Sequence, residues 1–152
     1  MLELVPRTAL PAMTAEAIDR VRAVENVAFH EPQIALDTQH VLHAGMYSRT
    51  IRLPAGAMIT GALIKIATLV IVQGDCIVWL GDGSRQLVGY NVLPASAGRK
   101  QAFAALSETF ITMVFPTDAR DVESAERHFT EEFELLASRR PDTPNQIIIT
   151  GE

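Results

Sequence analysis

Turn signals recur through the middle of this chain at intervals too short for helices. Pro54-Ala55-Gly56, Gln73-Gly74-Asp75, Gly81-Asp82-Gly83 and the stretch from Pro94 to Gly98 cut residues 45–115 into short apolar segments rich in Ile, Val, Leu and Thr. Proline presets φ and glycine supplies the conformations that other residues resist, so these clusters reverse the chain. Short strands closely spaced by turns predict an all-β barrel or sandwich.

The chain has 152 residues and is 48% hydrophobic, enough for one domain with a real core. Its net charge of -5 carries no block of like charges. Nucleic-acid binding needs a concentrated basic patch, and the pairs Arg99-Lys100 and Arg139-Arg140 read as solvated surface pairs. Cys76 is the only cysteine. It lies in the apolar run Cys76-Ile77-Val78-Trp79-Leu80 and reads as a buried, inert thiol. The apolar run at 62–72 is broken by Lys65 and Thr68 and is too short to span a bilayer. Met1-Leu2-Glu3-Leu4 has no basic leader. The expectation is a soluble cytoplasmic protein that binds neither nucleic acid nor membrane.

Residues 1–13, with Pro6 and Pro11, read as an arm. Thr14 is a candidate N-cap for a helix over 15–27, in which Ile18, Val21 and Val24 recur at helical spacing. Glu31-Pro32 stops it. Residues 33–42 read as extended. His40 and His43, with His30, read as surface or loop histidines rather than a metal set. Strands follow at 46–53, 57–66, 69–72, 76–80, 85–88, 100–106 and 109–115, with a loop at 90–98. Along 46–53, Tyr47, Arg49, Ile51 and Leu53 share one face. A helix is predicted over 118–138, with Val122, Ala125, Phe129, Phe133 and Leu136 as its apolar stripe. Glu123, Glu126, Glu131, Glu132 and Glu134 form its solvated face, and Asp118 or Asp121 caps it. Arg139-Arg140 and Pro141 close it. The tail at 146–150 holds three consecutive isoleucines and needs a strand partner.

The turns Leu53-Pro54-Ala55-Gly56, Gln73-Gly74-Asp75, Gly81-Asp82-Gly83 and Pro94 to Gly98, in that order, resemble those of the cupin superfamily. More narrowly, Tyr47-Ser48-Arg49 and Pro54-Ala55-Gly56 between two helices look like small cupin-like proteins of tailed bacteriophages and prophages. The resemblance implies a mainly β fold. A small antiparallel jelly-roll barrel (45–116) would follow an N-terminal arm and helix (1–44). A C-terminal amphipathic helix and tail (117–152) would complete a single structural domain. It also implies where metal ligands would fall: Ile64 and Ile66, or Ile64 and Thr68, then near Val70 or Ile71, and Gln101. Apolar side chains there cannot hold a transition metal, so the reading assigns no metal, no cofactor and no catalytic residue. Ser84, Ser96 and Ser107 lack a nucleophile-elbow context, and Glu108 has no partner in sequence.

A barrel interior built from Ala62, Ile64 and Ile66 reads as a filled core. The alternative is a metal-free pocket with Tyr47, Arg49, Thr68, Gln101 and Phe103 as its ligand-facing residues. Arg49 on an apolar face must be paired, reach a solvent rim or hold an anion, and the rim is the expectation. The functional reading is a non-catalytic structural or binding role. The alternative is a small-molecule binder or metal-independent enzyme using the lumen. A homo-oligomer, most simply a dimer sealed by the isoleucine tail, is the expected assembly, with a phage or host protein as a further partner.

Overall fold

The computed structural model describes residues 9–152. Eight strands form two facing sheets whose order is that of a jelly roll. They are β2 (Met46–Leu53), β3 (Met58–Thr60), β4 (Thr68–Gln73), β5 (Cys76–Trp79), β6 (Ser84–Leu87), β7 (Tyr90–Ala95), β8 (Ala102–Ala105) and β9 (Thr109–Pro116). One sheet runs β2-β9-β4-β7 and the other β3-β8-β5-β6, with antiparallel pairs throughout. The first sheet is extended beyond β2 by β1 (Thr38–His43) and then β10 (Asn145–Ile149), the latter parallel to β1. The fold is thus mainly β and jelly-roll, with a helix on either side of the barrel in sequence.

Several boundaries differ from the sequence reading. The sheet continues past the eight barrel strands to Thr38, because β1 and β2 form a hairpin through Ala44 and Gly45, both at positive φ (53° and 69°). Residues 90–95 are strand rather than loop; Pro94 is tolerated because β7 is an edge strand of the first sheet. Of the arm, residues 1–8 lie outside the described residues. Leu10 is no loose tail: it is buried and bridges β7 through Leu10 N–Pro94 O and Ser96 N–Leu10 O, at 2.8 and 2.9 Å. The strand expected at 57–66 ends at Thr60. Its later backbone groups divide between two partners: Gly61 N and Ile64 N donate to Gln101 O and Arg99 O, whereas Leu63 N donates to the Glu132 carboxylate and Lys65 N to Phe129 O at the end of α2.

Helix α1 (Ala15–Ala28) forms as expected, with the Thr14 hydroxyl accepting from Ala17 N at 3.1 Å. It rests on Gly81, where φ is +84° and an added Cβ would lie 2.6 Å from Ala17 O. Helix α2 (Val122–Phe129) is capped by Asp121, whose carboxyl pKa is lowered by the hydrogen bonds from Ser124. It ends at Thr130, not near 138. Thr130 is extended, its hydroxyl donating to Leu63 O and accepting from Glu132 N, and two short 3-10 turns follow. A tertiary anchor thus overrides helical periodicity.

Two apolar clusters result. One fills the space between the sheets around Leu53, Val72, Cys76, Val78, Leu87 and Leu93. The other joins Leu42, Tyr47, Met113 and Phe115 to Ala125, Phe129 and Leu136. Cys76 is fully buried and burial raises its thiol pKa, as an inert core residue requires. Phe129 is the anchor of α2, whereas Phe133 is half-buried under the Arg127 guanidinium, 3.9 Å above its ring. Phe129→Ala is therefore expected to lose about 3–5 kcal/mol, and Phe133→Ala clearly less. Urea denaturation of both variants checks the ranking; equal losses would contradict it.

Candidate binding site in the barrel lumen

Between the two apolar clusters the barrel is not filled. A cavity of about 1210 Å3 opens there, walled by Ile51, Ile59, Val70, Phe103, Ile111 and Met113. The expectation of a packed lumen therefore holds only for the part around Val72 and Val78. The strand registers explain which polar groups reach the open part. Arg49 on β2 pairs with Met113 on β9, which pairs with Val70 on β4, so these three side chains form one inward row.

Arg49 does not reach a rim. It is 5% exposed, and its Nη1 lies 3.0 Å from Glu126 Oε2. Glu126, assigned to a solvated helix face, is 2% exposed and also accepts from Ser138 Oγ and Arg139 Nε, each at 2.8 Å. Behind this pair lies a second polar chain. Asn145 Nδ2 donates to Ser138 O and Thr143 O, so its Oδ1 accepts from His40 Nε2 at 2.7 Å. His40 Nδ1 is then the acceptor for the Tyr47 hydroxyl, also at 2.7 Å. The network ties β10, β1, β2 and α2 together. His40 and His43 do not converge, since residues three apart on β1 face opposite ways. His43 is exposed and bonds Thr150.

The pair Arg99-Lys100 is not a solvated surface pair: the two residues are 2% and 1% exposed. Lys100 Nζ meets Glu25 of α1 at 2.9 Å, Glu132 at 3.6 Å and Gly61 O at 2.8 Å. Arg99 has no carboxylate partner among the described residues. Nη1 donates to Ser96 O (2.7 Å) and Ile66 O (3.3 Å), and Nη2 to Thr68 Oγ1 (2.7 Å), with the Met113 thioether at 3.8 Å. Burial pushes its pKa down to about 10, so it remains charged at neutral pH. Gln101, two residues on, is buried, and its Nε2 has no partner among the described residues. An unmade bond of that kind costs about 1–3 kcal/mol.

Of the five residues expected at the site, Arg49, Gln101 and Phe103 line the cavity. Tyr47 is fully buried beneath it, and Thr68 holds Arg99. Arg99, Lys100, Glu25, Glu126 and Glu132 were missed. Arg99 was findable: it shares strand parity with Gln101 and Phe103, already placed inward. Glu126 was findable too, since it falls four residues after Val122 and three before Phe129, on the apolar stripe. Glu108, without a partner in sequence, takes two hydrogen bonds from Arg52, at 2.6 and 2.9 Å.

The metal implied by the cupin resemblance does not fit these residues. Ile64 and Ile66 offer no donor and pack on the second apolar cluster. Thr68 Oγ1 is already bonded to a guanidinium, which would repel a divalent cation. Among the described residues no group of three His, Cys, Asp or Glu could hold a metal, and no helix is long and apolar enough to cross a membrane.

No family model and no curated protein matches the chain. Solved structures do resemble it. A cupin superfamily protein from Desulfitobacterium hafniense is 16% identical over 59% of this chain and 84% of its own, with a TM-score of 0.47. The Cupin_2 domain of an XRE family transcriptional regulator from Enterobacter cloacae is 16% identical over 55% and 99%, TM-score 0.44. A cupin-2 domain containing protein from Shewanella frigidimarina is 13% identical over 62% and 91%, TM-score 0.40. At such scores the likeness adds nothing to the strand order, which is already that of a jelly roll.

The buried network makes stability pH-dependent in a defined direction. Desolvation lowers the His40 pKa below 6.5, with the Arg49 charge adding to it and the Asn145 bond and Glu126 opposing. Above 6.5 neither state carries that proton, so nothing is lost. Below it the unfolded chain takes up a proton that the folded chain resists, and stability falls until the lowered folded pKa is reached. The melting temperature is expected to drop between pH 7 and 5 more steeply for the parent than for His40→Gln. Parallel slopes would contradict this assignment.

Proposed function

We propose that this chain is a metal-independent, non-catalytic small-molecule binder that uses the barrel lumen. The observation that carries the reading is the cavity itself. Its volume exceeds what a small organic molecule needs, its walls are apolar, and a few buried polar groups converge on it. Among the described residues that wall holds one hydroxyl, Thr60 Oγ1, which donates to Glu25 Oε2 at 3.0 Å, and the same carboxylate is held by Lys100; Glu132 is engaged by Lys100 and the Leu63 backbone, and Glu31, the third carboxylate of the lining, is exposed. The turn motifs that resemble small phage and prophage proteins make the cytoplasm of a bacterial host the natural setting. A neutral fluorescent probe, N-phenyl-1-naphthylamine, tests the reading. Saturable binding is expected for the parent and weaker binding for Ile51→Trp, where an indole takes up part of the cavity while the melting transition is retained. Absence of saturable binding, or equal binding by that variant, would overturn it.

We also propose that the chain works as a homodimer. The tail pairs with β1 of its own chain, yet Ile147, Ile148 and Ile149 stay 53%, 41% and 52% exposed on the outermost strand of the sheet. The outer face of the same sheet leaves Leu69, Val92 and Phe110 uncovered. A second copy would cover both kinds of surface. Light scattering at low micromolar concentration should give twice the chain mass, reduced by Ile148→Glu or Val92→Glu according to which surface is used. A parent mass equal to one chain would refute the dimer.

A further inference from the structure

The lumen reading leaves open what kind of molecule enters, and the charges around the cavity narrow it. Three cations stand in the deep wall. Arg49 is held by Glu126, and Lys100 by Glu25 and Glu132. Arg99 alone of the three has no carboxylate partner among the described residues, though it is buried as deeply as any core residue. Its two carbonyl acceptors take both Nη1 hydrogens. Nε–H has no acceptor among the described residues, and one Nη2 hydrogen faces only a thioether. Nε and Nη2 share one edge of the guanidinium plane, an edge that receives a carboxylate through two parallel bonds.

Gln101 is the second, independent observation. It lies two residues along from Arg99, lines the same cavity and carries an Nε2 with no acceptor among the described residues. A buried amide donor without an acceptor and a buried cation without a counter-ion are satisfied together by one anionic oxygen pair. The remaining walls, Ile51, Ile59, Val70 and Phe103 among them, suit an apolar body. Glu25, Glu31 and Glu132 on the same cavity oppose a dianion, which favours a single negative charge.

The geometry points to a monocarboxylate with a bulky apolar body as the lumen ligand, its carboxylate held by the Nε/Nη2 edge of Arg99 with Gln101 Nε2 as a further donor. This assignment rests on the lumen reading above and is separable from it. Isothermal titration of the full chain at neutral pH with decanoate and with decanol, the same body without the charge, decides it. Decanoate should bind about tenfold or more tightly than decanol, the worth of one charge-assisted bond in a desolvated site. Arg99→Gln should abolish that preference and leave decanol unchanged. Gln101→Leu leaves the Arg99 bonds to the backbone intact, so it serves if Arg99→Gln does not fold. It should weaken decanoate several-fold, spare decanol and leave the melting temperature equal or higher. Equal affinity for the two probes would overturn the carboxylate assignment while the lumen reading stands. Binding of neither would overturn both.

Discussion

The structure depends on how it accommodates cations in an apolar barrel. Taking a guanidinium or ammonium out of water is expensive, and the expense is recovered only when hydrogen bonds and counter-charges are supplied with good geometry. Arg49 and Lys100 are supplied by carboxylates that come from outside the barrel: Glu126 from α2, Glu25 from α1, and Glu132 from the segment after α2. Those ion pairs are the fasteners by which both flanking helices are held to the sheets. Breaking such a pair by removing one partner typically costs about 3–5 kcal/mol, because the other charge is left buried and alone.

Arg99 is accommodated differently. Backbone carbonyls of Ser96 and Ile66 and the Thr68 hydroxyl orient it without neutralising it. Its position near Ile66 and Thr68 puts a fixed organic charge beside the strand segment where the family resemblance would have put metal ligands.

Much of the barrel was legible in the sequence because its determinants are local. Turn residues mark the reversals, and alternation along 46–53 places Tyr47, Arg49 and Leu53 inward, where they are found. The helix at 15–28 was legible for the same reason, through Thr14 and a periodic stripe. What was not legible is set by distant partners. Residues 130–138 have helical spacing, but Leu63 O claims the Thr130 hydroxyl and Lys65 N claims Phe129 O. The burial of Lys100 follows from opposite charges far away in sequence, which no local pattern records; for Glu126 the helical stripe records the buried position but not the partner, Arg49. The tail carried a clear need for pairing, but not the identity of the strand, β1, that meets it.

The central claim is that Arg99 is a charged group awaiting an anion in the lumen. Its side-chain Nε–H resonance reports on this directly in a nitrogen-15 NMR spectrum, recorded with decanoate carrying a labelled carboxylate carbon. The account predicts that saturation with decanoate shifts the Arg99 Nε–H signal and slows its exchange with water. The carboxylate carbon should shift in step with it, and decanol should leave the signal in place. An Arg99 resonance indifferent to decanoate, while decanoate binds elsewhere in the lumen, would contradict it.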